Sequence, residues 1–425
     1  MHTRFIVGVI AAFASFMLAL EAIGVESPGP DFPTLSRDSR TSSSSREVTL
    51  RLPDGQNVRV EGKLAALIQE GYSALQSRAT SSFTVPIGQS AIGIHRVRQY
   101  DRAISSFTAA LQTNPDKNIA FLIYSGRAAA YLGNGQLDKV LIDSSAAIQL
   151  NAKYAPAYYY RGIAYSRTAN TDKAIDDYTA AIQLNPKYIG AYLNRGIEYS
   201  NKRNYKLAIR DATMAIQLNP KYGDAYHNRG VYYYETGAFD KAIADYSQAI
   251  RFNPRSETFM GRAATYKDIE KFDKAIADYD RVIRITPKDA DDYANRGSAY
   301  FHKGNYKEAA SDLRQAVQLS PNDARALTYL ARLRATCLDA SLRNGKDAIR
   351  ISIKACELSK WKEPALIDEL AAAYAETGDF DQAVKYQTQA MKMKSAYGPV
   401  LKEARERLAL YRDHKSWRAK PLVAR

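Results

Sequence analysis

A fixed spacing of 34 residues constrains this chain more than any other feature. Gly162, Gly196 and Gly230 recur at it, as do Tyr165, Tyr199 and Tyr233, Ala174, Ala208 and Ala242, and Pro186, Pro220 and Pro254. One residue drops out of the next unit, after which Tyr266, Ala275 and Pro287, then Gly297, Tyr300, Ala309 and Pro321, carry the pattern on. Within a unit, Tyr192, Arg195, Gly196 and Tyr199 fall at helical spacing, and Ala208, Ile209, Ala212, Ala215 and Ile216 do so on a second segment. Each unit therefore reads as two short amphipathic helices. Small residues at Gly196, Ala208 and Ala215 let the two approach closely, and Pro220 ends the second because the residue before a proline is pushed out of helical dihedrals. One such hairpin cannot bury its own apolar face, so successive units must stack on each other.

The strings A-Y-L-N-R-G-I-E-Y over 191–199, Y-K-L-A-I-R-D-A over 205–212 and L-N-P over 218–220 resemble the tetratricopeptide repeat. Well-formed units begin near Phe121, Ala155, Ile189, Gly223, Ser256 and Ala290. A weaker one precedes them, ending in the helix of Tyr100, Ala103, Phe107 and Ala110, with residues 61–79 or something shorter as its partner. Two more occupy about 324–361 and 364–397, and their strings L-A-R-L-R-A-T-C, A-C-E-L-S-K-W and L-A-A-A-Y-A-E-T-G-D-F are similar to a terminal pair in bacterial members of the family. The resemblance implies an all-α fold, a right-handed superhelical solenoid of about eight to nine helix hairpins over residues 96–397. Residues 398–425 then read as a capping helix, striped by Leu401, Ala404, Leu408 and Tyr411, and a basic tail.

Ahead of the array the chain changes character. Arg4, the uncharged apolar run Phe5 to Leu20 and the small residues Ala22 and Gly24 give residues 1–24 the form of an export signal. The alternative is an anchor through residues 5–20, a run just short of the roughly 17 to 25 residues that cross a bilayer. Residues 25–46, rich in Ser and Pro, read as a disordered linker. Over 47–95 the chain reads as a small β-hairpin, a helix and a loop. Val48, Leu50 and Leu52 flank an Asp54-Gly55 turn with Val58 and Val60, and Leu64, Ala65, Leu67, Ile68, Tyr72 and Leu75 form the helical stripe that would cover it. Export to the periplasm or outside the cell follows from the first 24 residues, and inner-membrane anchoring follows from the alternative.

Six successive units carry an arginine on the first helix and an aspartate sixteen residues later on the second. The pairs are Arg127 with Asp143, Arg161 with Asp177, Arg195 with Asp211, Arg229 with Asp245, Arg262 with Asp278, and Arg296 with Asp312. One spacing repeated six times implies one geometry. We expect each pair to bridge its two helices as a packing and register device, the alternative being solvated charge on an outer face. The excess of tyrosine, 30 residues against 2 Trp, falls mostly at repeat positions that face a neighbouring helix and reads as packing.

The resemblance implies that first helices line a concave groove. The residues flanking the Arg-Gly step would then face a ligand: Tyr159, Tyr160, Ile163, Leu193, Asn194, Ile197, His227, Asn228, Val231, Asn295 and Ser298. Asn194, Asn228 and Asn295 hold equivalent places, and an amide both donates and accepts, so the three could pair with the main chain of an extended peptide. Equally, Asn is a tolerated polar residue at that place. Some chaperone-binding members of the family clamp a terminal carboxylate with groove Lys and Arg, and no matching set appears here.

Little else carries chemistry. Five scattered His and two Cys give no metal-ligand set, and no phosphate-binding loop, H-E-x-x-H, nucleophile elbow or dinucleotide fingerprint occurs. The expectation is a protein that is no enzyme, with no cofactor and no metal. Cys337 and Cys356 fall on the two helices of one unit and would form either a disulfide, as export allows, or two buried thiols. The reading is a scaffold or adaptor binding a peptide segment or envelope protein in the groove. Its rival rests on the +15 formal charge, 60 Lys and Arg against 45 Asp and Glu. That rival is an accessory factor of envelope or polysaccharide metabolism that meets an anionic ligand through its basic surface. Nucleic acid is not an expected partner of an exported chain.

Overall fold

The helical periodicity and the breaks between helices translate directly into backbone geometry. A computed structural model describes residues 34–36, 47–51, 57–76, 91–393 and 401–422. The export-signal and anchor readings of residues 1–24, the Asp54-Gly55 turn and the side chains of the hairpin lie outside the described residues. Strands β1 (Thr34–Ser36), β2 (Glu47–Arg51) and β3 (Asn57–Glu61) pair antiparallel in that order, Val48 opposite Val60 and Leu50 opposite Val58.

Nineteen α-helices follow among the described residues. The first nine are α1 (Gly62–Gln76), α2 (Ala91–Gln112), α3 (Lys117–Gly133), α4 (Leu137–Leu150), α5 (Ala155–Arg167), α6 (Thr171–Leu184), α7 (Ile189–Asn201), α8 (Tyr205–Leu218) and α9 (Gly223–Glu235). Then come α10 (Phe239–Phe252), α11 (Ser256–Asp268), α12 (Phe272–Ile285), α13 (Ala290–Lys303), α14 (Tyr306–Leu319) and α15 (Ala324–Thr336). A 3-10 turn at Ala340–Leu342 leads to α16 (Gly345–Leu358), α17 (Pro364–Glu376), α18 (Phe380–Lys392) and α19 (Leu401–Arg412). Among these residues the chain is all-α after β3. The helices divide into two compact units, one ending at Lys221 and the other beginning at Tyr222.

Two backbone devices repeat with the sequence period. In seven pairs the turn between the two helices holds one residue in the left-handed region, at Gly135, Ala169, Arg203, Gly237, Glu270, Gly304 and Gly378. Glycine takes that conformation without a Cβ penalty and fills four of the seven places. After the second helix, Asn185 and Asn219 before Pro186 and Pro220 are extended, as proline demands. Their side-chain oxygens accept the main-chain N–H of Lys187 and Lys221, at 3.0 and 3.1 Å, which fixes the turn into the next unit.

In the N-terminal unit the first pair is α1 with α2, which answers the question of what partners the weak unit. Helix α2 begins at Ala91, inside the stretch read as loop. The Phe107 ring sits between α1 and α3, so close that a Cβ on Gly71 or Gly126 would lie 2.6 Å from it. Pairs α3–α4, α5–α6 and α7–α8 stack onward, and Gly162 yields to the Tyr178 ring in the same way. In the C-terminal unit the pairs are α9–α10, α11–α12, α13–α14, α15–α16 and α17–α18, with α19 packed on α18. Gly230 admits the Tyr246 ring, and Gly297 admits Leu313. First helices of successive pairs adjoin at α1–α3, α3–α5 and α5–α7 in the N-terminal unit and at α9–α11, α13–α15 and α15–α17 in the C-terminal unit, and Asn295 of α13 reaches Met260 of α11.

Candidate functional site

The six arginines and aspartates meet in one geometry. Arg195 donates Nε to Asp211 Oδ2 at 2.7 Å and Nη2 to Oδ1 at 2.9 Å, and the other five pairs repeat this two-pronged fork with distances of 2.7 to 2.9 Å. The carboxylates are buried, their side chains 1 to 9% exposed. The solvated alternative therefore does not describe them.

Two further features complete the ladder. The remaining Nη1 of Arg127, Arg195, Arg262 and Arg296 donates to Thr108, Thr179, Ser247 and Asp280 on the second helix of the preceding pair. Arg161 reaches Ser145 in the same manner at 3.5 Å. Each of these arginines thus ties three helices. Aromatic rings one turn away on either side also face the guanidinium, as Tyr192 and Tyr199 do at 5.8 Å from Arg195 and Tyr293 and Tyr300 do at 5.7 and 5.9 Å from Arg296. A good part of the tyrosine excess is accounted for here, and the sequence carried the signal in an aromatic residue three before each arginine, Phe259 for Arg262 and tyrosine for the other five, and a tyrosine four after it.

The groove residues separate into two groups. Tyr160, Ile163 and Leu193 in the N-terminal unit and Ser298 in the C-terminal unit are buried. These four correct the expectation: enclosed within the repeats, they offer nothing to a ligand. Tyr159, Asn194 and Ile197 remain partly open in the first unit, and His227, Asn228, Val231 and Asn295 do so in the second. The amides are partly spent on neighbouring repeats. Asn194 Nδ2 donates to Tyr159 Oη at 3.2 Å, and Asn295 Nδ2 lies 3.7 Å from Met260 Sδ. His227 Nδ1 is 3.0 Å from Thr258 Oγ1, and burial lowers its pKa.

Further links between first helices were not foreseen. Ser166 Oγ donates to Glu198 at 2.5 Å, and Tyr234 Oη donates to Asp268 at 2.6 Å. On α13, burial and then the charges of Arg332 and Lys267 bring His302 down to about 3, while burial pushes the Asp292 carboxyl up to about 7 against a hydrogen bond from Thr286. Deeper in the C-terminal unit, Arg332 pairs with Glu369 and Arg407 with Asp368, and Gln387 Nε2 donates to Asp368 at 2.6 Å. Arg407 and Arg418, two of the basic residues after Gly398, are therefore engaged internally, Arg418 with Glu376 at 2.7 Å.

Cys337 and Cys356 are buried free thiols, so the disulfide weighed for them is not formed. Cys337 caps α15, where its Sγ donates to the Asp339 carbonyl at 3.2 Å. Burial pushes the Cys356 thiol up to about 12. No group of three or more His, Cys, Asp or Glu stands in metal-binding proximity among the described residues.

Stacked helix pairs of constant length, locked by one recurrent ion pair and carrying open side chains on adjoining first helices, define a helical-repeat scaffold. The family comparisons say which. Models described as tetratricopeptide repeat match residues 155–188 and 223–256, 263–334, and 367–397. The chain is a tetratricopeptide repeat protein, a member of a family whose repeats serve generally as non-catalytic scaffolds for protein–protein interaction. Among solved structures it is similar to a tetratricopeptide repeat protein from Parabacteroides merdae, at 21% identity over 63% of this chain and 97% of that one, with a TM-score of 0.44. It is likewise similar to Pseudomonas aeruginosa pilF, at 16% identity over 51% and 98%, TM-score 0.46. A third is YrrB, described as a TPR protein with an unusual peptide-binding site, at 23% identity over 43% and 95%, TM-score 0.39. No curated protein matches the chain.

Proposed function

We propose that the chain is an exported adaptor that holds an extended segment of a protein partner along the first-helix faces of its repeats. The observation carrying this reading is the placement of partly open amides and aliphatic groups on adjoining first helices, Asn194 and Ile197 in one unit and Asn228, Val231 and Asn295 in the other, while the ladder arginines are consumed inside. An amide that spends its N–H on a neighbouring repeat keeps a carbonyl oxygen for a main-chain N–H of the ligand. The test is affinity capture with residues 25–425, repeated with Asn194, Asn228 and Asn295 changed together to Ala. A discrete partner that vanishes with the triple change, while the melting temperature holds, supports the groove. Export is tested separately, by fractionating cells that express the full chain and one lacking residues 1–24.

A second reading has its own observation. A cavity of about 250 Å³ between α14, α15 and α16 is lined by Arg314, Arg334, Arg350 and Lys354 against the single carboxylate of Asp347, over a floor that includes Leu327, Leu330 and Ile351. Such a cavity suits a small anion or the acidic group of an envelope polymer. Binding through it weakens steeply as salt rises, whereas capture that survives high salt but is lost in the triple asparagine variant returns the assignment to the groove.

A further inference from the structure

After α19 the chain does not trail away. His414 takes a left-handed conformation, φ 54°, and Lys415 N–H reaches back to the Leu410 carbonyl, which turns the backbone around the end of the helix. The following residues then run along one edge of the C-terminal unit, across the carboxyl-terminal ends of three first helices in reverse chain order. Ser416 Oγ donates to the Ala375 carbonyl of α17 at 2.7 Å, Ala419 N–H to the Thr336 carbonyl of α15 at 3.0 Å, and Leu422 N–H to the His302 carbonyl of α13 at 2.8 Å.

The three donors stand three residues apart. Packed helices lie about 8 to 10 Å from axis to axis, and three residues of extended chain cover about 10 Å, so an extended segment meets one helix end at every third residue. The acceptors are carbonyls of the last turn, where a helix no longer supplies an N–H four residues on; that of Ala375 is shared with the Gly378 N–H at 3.2 Å. Side chains fill the intervals. Arg418 pairs with Glu376, Ala419 is 6% exposed, and Pro421 lies against Gly304 closely enough that a Cβ there would stand 3.1 Å from the proline ring. The Trp417 ring centre lies 3.8 Å from the Arg407 guanidinium, and Tyr306 Oη reaches the Ala419 carbonyl at 3.4 Å. Lys420 and Leu422 face solvent.

We propose that the carboxyl-terminal ends of the first helices in this unit form a docking edge for an extended basic segment of a partner protein, and that residues 416–422 of the chain are its resting occupant. The recognition elements belong to the edge: a main-chain acceptor at each helix end, the Glu376 carboxylate for a basic side chain, and a closed site at Ala419 that admits only a small residue. A partner segment of this chemistry has to displace the tail, so the tail sets the threshold for binding. This edge is separate from the open residues of the first-helix faces and does not depend on them.

The test uses the full chain and a labelled synthetic peptide of residues 413–425 as probe. Ala419→Arg places a long charged side chain in a closed site and releases the tail, which faster hydrogen exchange over 416–422 reports. Because apparent affinity scales with the fraction of open sites, a tail docked nine times in ten makes the wild-type chain bind the probe about tenfold more weakly than the released variant. A probe carrying proline in place of Ala419 lacks the N–H for Thr336 and should lose binding to the released chain. If Ala419→Arg fails to fold, Ala419→Pro in the chain removes the same hydrogen bond without bulk. Release of the tail with no gain in probe binding, or equal binding of the probe to wild type and variant, overturns the proposal and leaves the tail a structural strap.

Discussion

Removing one rung of the arginine ladder should expose how the array is held in register. Arg195 is the most enclosed of the six, with side-chain exposures of 9% for the arginine and 1% for Asp211. Arg195→Leu deletes both prongs of the fork, the bond to Thr179 and the contact with two tyrosine rings, and leaves a carboxylate buried between α7 and α8. Among the described residues the other cation paired with it is Arg210, whose Nε is 3.7 Å away on a side chain 59% exposed, too solvated to replace the fork. Breaking a buried pair from one side costs about 3 to 5 kcal/mol, whereas replacing both partners by apolar groups is often neutral or stabilising. The expected pattern is therefore a large loss for Arg195→Leu, a large loss for Asp211→Leu, and recovery of most of it in the double variant. Repeat arrays need not unfold in one step, so the measurement should be local, by native-state hydrogen exchange of amides in α7 and α8, with urea unfolding alongside. A single Arg195→Leu change that shifts those amides by less than about 0.5 kcal/mol, or a double variant as unstable as the sum of the singles, refutes the assignment of the fork as a coupled register device.

Other consequences are open to simpler assays. Ala169, Arg203 and Glu270 hold the left-handed turn place that Gly135, Gly237, Gly304 and Gly378 fill elsewhere; glycine at Ala169 should raise stability by up to about 1 kcal/mol, relief of the Cβ strain outweighing the added freedom of the unfolded chain, and a lower melting temperature would count against it. With His302 near 3 in the fold against 6.5 unfolded, stability falls as pH drops from 6.5 towards 3; with Asp292 near 7 against 3.8, stability is greatest below 3.8 and falls as pH rises to 7. The two oppose each other between 3.8 and 6.5, so His302→Gln should gain stability on acidification relative to wild type, by at most about 1.4 kcal/mol per pH unit, as read from urea midpoints at pH 4.5 and 6. Burial keeps both thiols protonated, so native protein should react with a thiol reagent at neither Cys337 nor Cys356, and denatured protein at both.

The sequence was most informative where a contact repeats with the period. An arginine and an aspartate sixteen residues apart can meet only if a two-helix turn brings them back together, and six copies of one spacing leave little choice of geometry. The groove was less legible, because the same helical face has to serve both a ligand and the next repeat. Tyr160 and Asn194 hold equivalent places in neighbouring units, yet the tyrosine is buried and the asparagine partly open. Side-chain identity does not say which, since the outcome depends on how closely each pair of first helices adjoins. The tail escaped altogether, for a definite reason. Its partners on α13, α15 and α17 are main-chain carbonyls, which every residue carries and no sequence pattern marks. Its basic residues look alike in the sequence, although Arg407 is buried on Asp368, Arg418 is held by Glu376 and Lys420 faces water. A segment that reads as a solvated basic end is thus bound to the repeats through their backbone, and the register of that binding, one helix end per three residues, is set by the spacing of the repeats rather than by the tail's own sequence.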